Sequence, residues 1–154
     1  MSRSGYSDAG DIDQWGFICW RGAVNSAIKG KRGQAFLKEM LAALDSMDTK
    51  ALIANDLVRD AGTEHKQVCA IGAVAVKRGL DVSGVNPEDR DTVAGVFGIA
   101  PALAAEIVYV NDEWCSWRDA VQETPEKRFE RVRAWIVAQI KPEVPPVPPT
   151  SPQV

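Results

Sequence analysis

Histidine is the side chain best suited to move a proton near neutral pH, and this chain has a single one, His65. Cys69 follows four residues later, a separation that brings imidazole and thiol to one face if the segment is helical. A cysteine within hydrogen-bond reach of a histidine is a nucleophile with its base, and the same spacing suits two ligands of one metal ion. Neither chemistry is complete here. No second pair supplies further ligands, Glu64 and Lys66 give His65 a charged, loop-like setting, and Cys69 sits in the apolar run Val68-Cys69-Ala70. These residues read as a surface histidine beside a core cysteine.

The carboxylates come next. Glu88, Asp89 and Asp91 cluster behind Asn86-Pro87, where acids favour the positive end of a starting helix without any chemistry. Asp8, Asp11 and Asp13 lack the glycine and the distal glutamate of a calcium loop. Asn111-Asp112-Glu113 follows a helical run and could hold a hard cation or meet a partner, with a polar helix end as the simpler reading. No catalytic residue, metal site or cofactor is assigned from these groups.

Gly30-Lys31-Arg32-Gly33 is a glycine-flanked basic turn ahead of a helix, a setting that suits anions. It lacks the spacing and the Lys-Ser/Thr ending of a P-loop. Arg21, Lys29, Lys31, Arg32 and Lys38 nevertheless form a basic patch that could face nucleic acid or an acidic protein, with a solvated rim of the helical hairpin the plainer reading. A net charge of −3 and a pI near 5.2 argue against a general nucleic-acid binder.

Five tryptophans are many for 154 residues. Trp114 and Trp117 lie in the polar segment 112–118, and with Asp112 and Glu113 they are the candidate partner-binding residues, since tryptophan is enriched at binding hot spots, with ordinary core packing the plainer reading of each tryptophan. Trp15 and Trp20 project from opposite sides of one helix and can both be buried only if it is covered twice. A second copy of the chain would suit an exposed aromatic patch as well as a foreign protein does.

The elements that must position these groups are mainly helical. Ile12, Trp15, Cys19, Ala23 and Ala27 recur at helical spacing, widened by Ile18, Val24 and Ile28. They predict a helix over 12–29, capped by Asp11 or Asp13 and ended by Gly30 in a left-handed conformation. A second helix is expected over 33–47, from Phe36, Leu37, Met40, Leu41, Leu44 and Met47, making a tight hairpin with the first. Ala51-Leu52-Ile53-Ala54 suits a short strand or a helix fragment, and Asp60-Ala61-Gly62 a turn, so one strand or hairpin is placed near 51–66. Val68, Ile71, Ala75 and Val76 mark a third helix ending at Gly79, with Cys69-Ala70-Ile71-Gly72-Ala73 small enough to admit another helix. Further helices start at Asn86-Pro87, at Pro101 and at Thr124-Pro125, running to about 97, 111 and 140.

The fold class is therefore a compact bundle of about five to six helices. A flexible segment 1–10, a single domain 11–141 and a disordered proline-rich tail 142–154 make up the chain. The tail's Pro145-Pro146-Val147-Pro148-Pro149 has the spacing of a polyproline ligand, though a passive tail is the plainer reading. Cys19, Cys69 and Cys115 are widely spaced among apolar neighbours and read as reduced core cysteines. With no run of about 18 apolar residues and no secretory pattern at its start, the protein is expected in the cytoplasm, off the membrane.

Two blocks carry a resemblance. Trp20-Arg21-Gly22-Ala23-Val24, leading into Ile28-Lys29-Gly30-Lys31-Arg32-Gly33-Gln34-Ala35-Phe36-Leu37, resembles a family of small uncharacterised bacteriophage and prophage proteins. Cys69-Ala70-Ile71-Gly72-Ala73, Ile107-Val108-Tyr109-Val110-Asn111-Asp112-Glu113 and the helix from Thr124-Pro125-Glu126 are similar to the rest of it, so the resemblance spans about 11–140. It implies an accessory gene of a phage, within a bacterial host, and no catalytic residue carries over. The expectation is a non-enzymatic protein that binds a host or phage protein and could modulate host machinery or defence. A nucleic-acid-binding helical hairpin and a small enzyme are the alternatives.

Overall fold

The computed structural model describes Ser4 and residues 13–114 and 123–150. Six helices lie among them: α1 (Gln14–Lys29), α2 (Lys31–Asp45), α3 (Ala70–Arg78), α4 (Arg90–Phe97), α5 (Pro101–Asp112) and α6 (Pro125–Gln139). The antiparallel pair β1 (Val58–Arg59) and β2 (Gln67–Val68) joins α2 to α3. The protein is mainly α, as the periodicity predicts, with one short hairpin in the expected region.

Local chemistry sets the boundaries. Asp13 caps α1 by accepting from the Gly16 N–H, and the Thr124 hydroxyl accepts from the Lys127 N–H behind Pro125. Gly79 and Gly98 close α3 and α4 at φ of 69° and 71°, the left-handed region in which glycine carries no Cβ penalty. Gly30 departs from expectation: at φ −65° and ψ 156° it is extended, serving both as the end of α1 and the cap of α2. A one-residue joint leaves no room for a left-handed cap, and α2 begins at Lys31. The helix expected at Pro87 starts at Arg90, because Asp89 takes the cap while Asn86 closes a turn onto the Glu88 N–H. Val68 belongs to β2, and 51–54 is neither strand nor helix.

The core forms around α5, whose Leu103, Ala104, Ile107 and Val110 are buried and which packs on α1, α3, α4 and α6. Two glycines are required by close approach. A Cβ on Gly33 would overlap the Ala27 carbonyl of α1, and one on Gly72 would overlap the Leu57 carbonyl. The small residues at the start of α3 therefore admit the irregular segment before β1 as well as the neighbouring α2.

No single helix among the described residues is long and apolar enough to cross a membrane; α4 and α5 together have the composition but meet at 107°, with α5 in the core. Ser4 is buried and its hydroxyl donates to the Glu113 carboxylate, while the rest of the segment 1–10 lies outside the described residues. After α6, Lys141 is tied by its N–H to Gln34 Oε1, and residues 142–150 are exposed without regular secondary structure.

Candidate protein-binding surface

The groups able to do chemistry are dispersed. His65 is exposed in the loop before β2 and Cys69 caps α3, its Sγ accepting from the Gly72 N–H at 3.4 Å, so the two do not share a helix face. Asp89 serves its own helix: the Thr92 hydroxyl and the N–H groups of Thr92 and Asp91 donate to it and hold its carboxyl below the ordinary range. No group of three metal-ligating side chains occurs among the described residues.

Asn111-Asp112-Glu113 is an internal clasp. Asn111 is buried, accepts from the Ala70 N–H at 3.1 Å, and donates to the Ile53 carbonyl at 2.9 Å and to Asp112 at 2.7 Å. Asp112 also accepts from the Asn55 N–H, and Glu113 holds Ser4. These bonds tie the end of α5 to the start of α3 and to the segment before β1. Each of the three side chains thus has a partner within the molecule, Asn111 buried and Asp112 and Glu113 half-buried.

The basic patch divides. Arg21 turns inward and pairs at 3.0 Å with Glu106, a carboxylate 2% exposed on α5. Lys38 lies 3.7 Å from Glu143 of the tail. Lys29, Lys31 and Arg32 remain exposed around the joint between α1 and α2, and the two on α2 stand at its positive end, where cations are disfavoured. The arginines of α6 are engaged within the fold: Arg131 grips Glu123 and the Val110 carbonyl, Arg128 reaches the Leu52 carbonyl, and Arg133 pairs with Asp45.

The aromatic candidates fare differently from one another. Trp114 is 50% exposed and rests on Tyr109, ring centroids 5.8 Å apart. Trp117 and Cys115 lie outside the described residues. Among the described helices the largest apolar exposure is on α1, where Trp15 is 71%, Phe17 58% and Ile18 52% exposed, with Cys19 exposed beside them. The expected inward stripe of Trp15, Cys19 and Ala23 is in fact outward, and Val24 and Ile28 face the core with Trp20 and Ala27 partly covered. Phe17 precedes Val24 and Ile28 by nearly whole numbers of turns, so the packed side of α1 runs past the edge of the core at Phe17. In its first turns the helix is apolar on every side, and such a helix is ordinarily covered.

Two open clefts accompany these surfaces. One of about 640 Å³ lies between β1, the end of α3 and the loop after it, lined by Val58, Val76, Leu80 and Val85 with Asp81 and Lys66. The other, about 530 Å³, lies between the end of α2 and β2, with Met47, Ile53, Val68 and Pro125. In the first, the Ser83 side chain and N–H donate to the Asp81 carboxylate and hold its carboxyl below the ordinary range. Compared with known families, curated proteins and solved structures, the chain matches none.

Proposed function

We propose that the protein is a non-enzymatic interaction module that acts by binding another protein, a host or phage protein in the setting its resemblance suggests. The observation that carries this reading is the apolar overhang of α1, where Phe17 continues the packed side of the helix into solvent, together with half-exposed Trp114 at the end of neighbouring α5. Exposed aromatic anchors of this size are what protein interfaces bury at their centre. The dispersal of His65, Cys69 and the acids supports the same reading over a small enzyme. The inward turn of Arg21 and the proximity of Lys38 to Glu143 leave a smaller basic surface than a nucleic-acid reading needs.

The test is capture from bacterial lysate by the tagged full chain, with and without nuclease, beside Phe17→Ala and Trp114→Ala variants. A protein retained after nuclease by the native chain and lost with both variants supports the module and names its target. Retention that vanishes with nuclease favours the basic turn and a nucleic acid. Retention indifferent to both substitutions would overturn the assignment of this surface.

A further inference from the structure

Beyond the binding of a foreign protein, and on a different side of α1, the geometry points to a second copy of this chain as the occupant of the outer face of that helix. Trp15, Ile18, Gly22, Ser26 and Lys29 follow one another three or four residues apart, with Cys19 beside Ile18, a seam on the side turned away from Val24 and Ile28. All are exposed. The seam is large and apolar at its start, small in the middle and basic at its end.

That gradient is complementary to itself when two copies of α1 meet antiparallel about a two-fold axis, the commonest symmetry of homo-oligomers. A crossing at Gly22 sets Trp15 of one copy against Lys29 of the other, Ile18 against Ser26, and Asp13 against Lys31. Ile18 then falls on the small Ser26. The Lys29 ammonium can lie over the Trp15 ring, and the Asp13 carboxylate meets the basic, positive end of α2 that has no acid of its own. In a parallel pairing Trp15 would meet Trp15, and Lys29 and Lys31 would meet themselves.

Gly22 supplies the second line of argument. Glycine inside a helix costs about 1 kcal/mol relative to alanine. Gly33 and Gly72 repay that cost through the backbones they let approach, whereas a Cβ on Gly22, like one on Gly95 of α4, would touch none of the described residues. Among the described residues of one copy, Gly22 has no packing partner. At the crossing point of two helices it has one, since the absence of a side chain lets the axes close and the flanking Ile18 and Trp15 reach across.

Sedimentation velocity of the full chain, from micromolar to near-millimolar concentration, tests this. The expected result is a concentration-dependent monomer–dimer equilibrium that weakens with salt. Gly22→Gln, a substitution the open surface of the single copy accommodates, should leave the helical circular dichroism unchanged and abolish the dimer, as should Trp15→Glu. Gly22→Cys, made with Cys19→Ser, should form a disulfide-linked dimer on mild oxidation, because residue 22 lies on the axis. A chain that stays monomeric throughout, or a dimer indifferent to Gly22→Gln, overturns the inference. Capture of a foreign protein by the Gly22→Gln variant keeps the two readings separable: it stands if only the dimer is wrong, and fails alone if only the module is wrong.

Discussion

Asn111 is the residue whose removal is expected to cost the fold most for its size. Its amide bridges the Ala70 N–H at the start of α3 and the Ile53 carbonyl, both in buried surroundings, and the side chain itself is 1% exposed. Truncation to alanine strips the partner from a buried donor and a buried acceptor at once. Each loss costs about 1–3 kcal/mol, so Asn111→Ala should destabilise by about 3 kcal/mol. That is a large share of the roughly 5–15 kcal/mol by which domains are stable. Asn111→Asp separates the two halves of the clasp. It keeps an acceptor for Ala70 but has no N–H for Ile53, and it sets a second carboxylate against Asp112, where the amide now donates at 2.7 Å. Its deficit should shrink as pH falls and protonation restores a donor, the opposite of the trend expected for the native chain. Urea unfolding followed by helical circular dichroism measures both variants. A loss below about 1 kcal/mol for Asn111→Ala would refute the claim that this bridge is dry and holds α3 to α5. Calcium should leave the native midpoint unmoved; a calcium-dependent rise would make residues 111–113 a cation site instead.

Other expectations follow from the same contacts. Gly33→Ala and Gly72→Ala should each destabilise by several kcal/mol (about 2–4), through overlap with the Ala27 and Leu57 carbonyls, whereas Gly22→Ala should raise the stability of the single copy by about 0.5–1 kcal/mol; thermal unfolding of the three variants at low concentration compares them. Arg21→Ala removes from buried Glu106 the cation 3.0 Å away and should cost about 2 kcal/mol, a figure reduced because the guanidinium side is 38% exposed and screened; Arg21→Ala with Glu106→Gln should recover most of it in a double-mutant cycle. Hydrogen bonds from Arg78 and Arg133 hold the carboxyls of Glu39 and Asp45 below their ordinary values of 4.5 and 3.8. A lowered folded pKa means stability that is present above the ordinary value and lost as pH falls through the folded one, so acid unfolding monitored below about pH 5 should be shallower for Glu39→Gln with Asp45→Asn.

The helices were legible in the residues because their signals are local: Asp13, Thr124, Pro101 and Pro125 begin helices, and Gly79 ends one, by chemistry that reaches only a turn away. Gly30 departs from the left-handed cap its position suggests because its conformation answers to the helix after it as well as the one before. Gly33 shows the same limit from the other side. In sequence it belongs to a basic, phosphate-like turn, and in the fold its absent side chain is a contact between α1 and α2.

The candidate surface was legible only in part, for a reason that lies in α1. With Trp15, Phe17, Ile18, Cys19 and Trp20 in succession, periodicity offers more than one inward face, and only contact with α5 and α2 selects the one bearing Val24 and Ile28. The apolar residues left outside are therefore not a failed core stripe but a surplus, placed where the helix outruns its support. The surplus has two parts that differ in direction. Phe17 extends the packed side, and Trp15 with Ile18 opens the outer seam that passes Gly22. If one partner covered both, a single substitution would abolish every association. If a second copy takes the seam and a foreign protein the overhang, Gly22→Gln and Phe17→Ala should each remove one association and spare the other, measured by sedimentation and by capture on the same preparations.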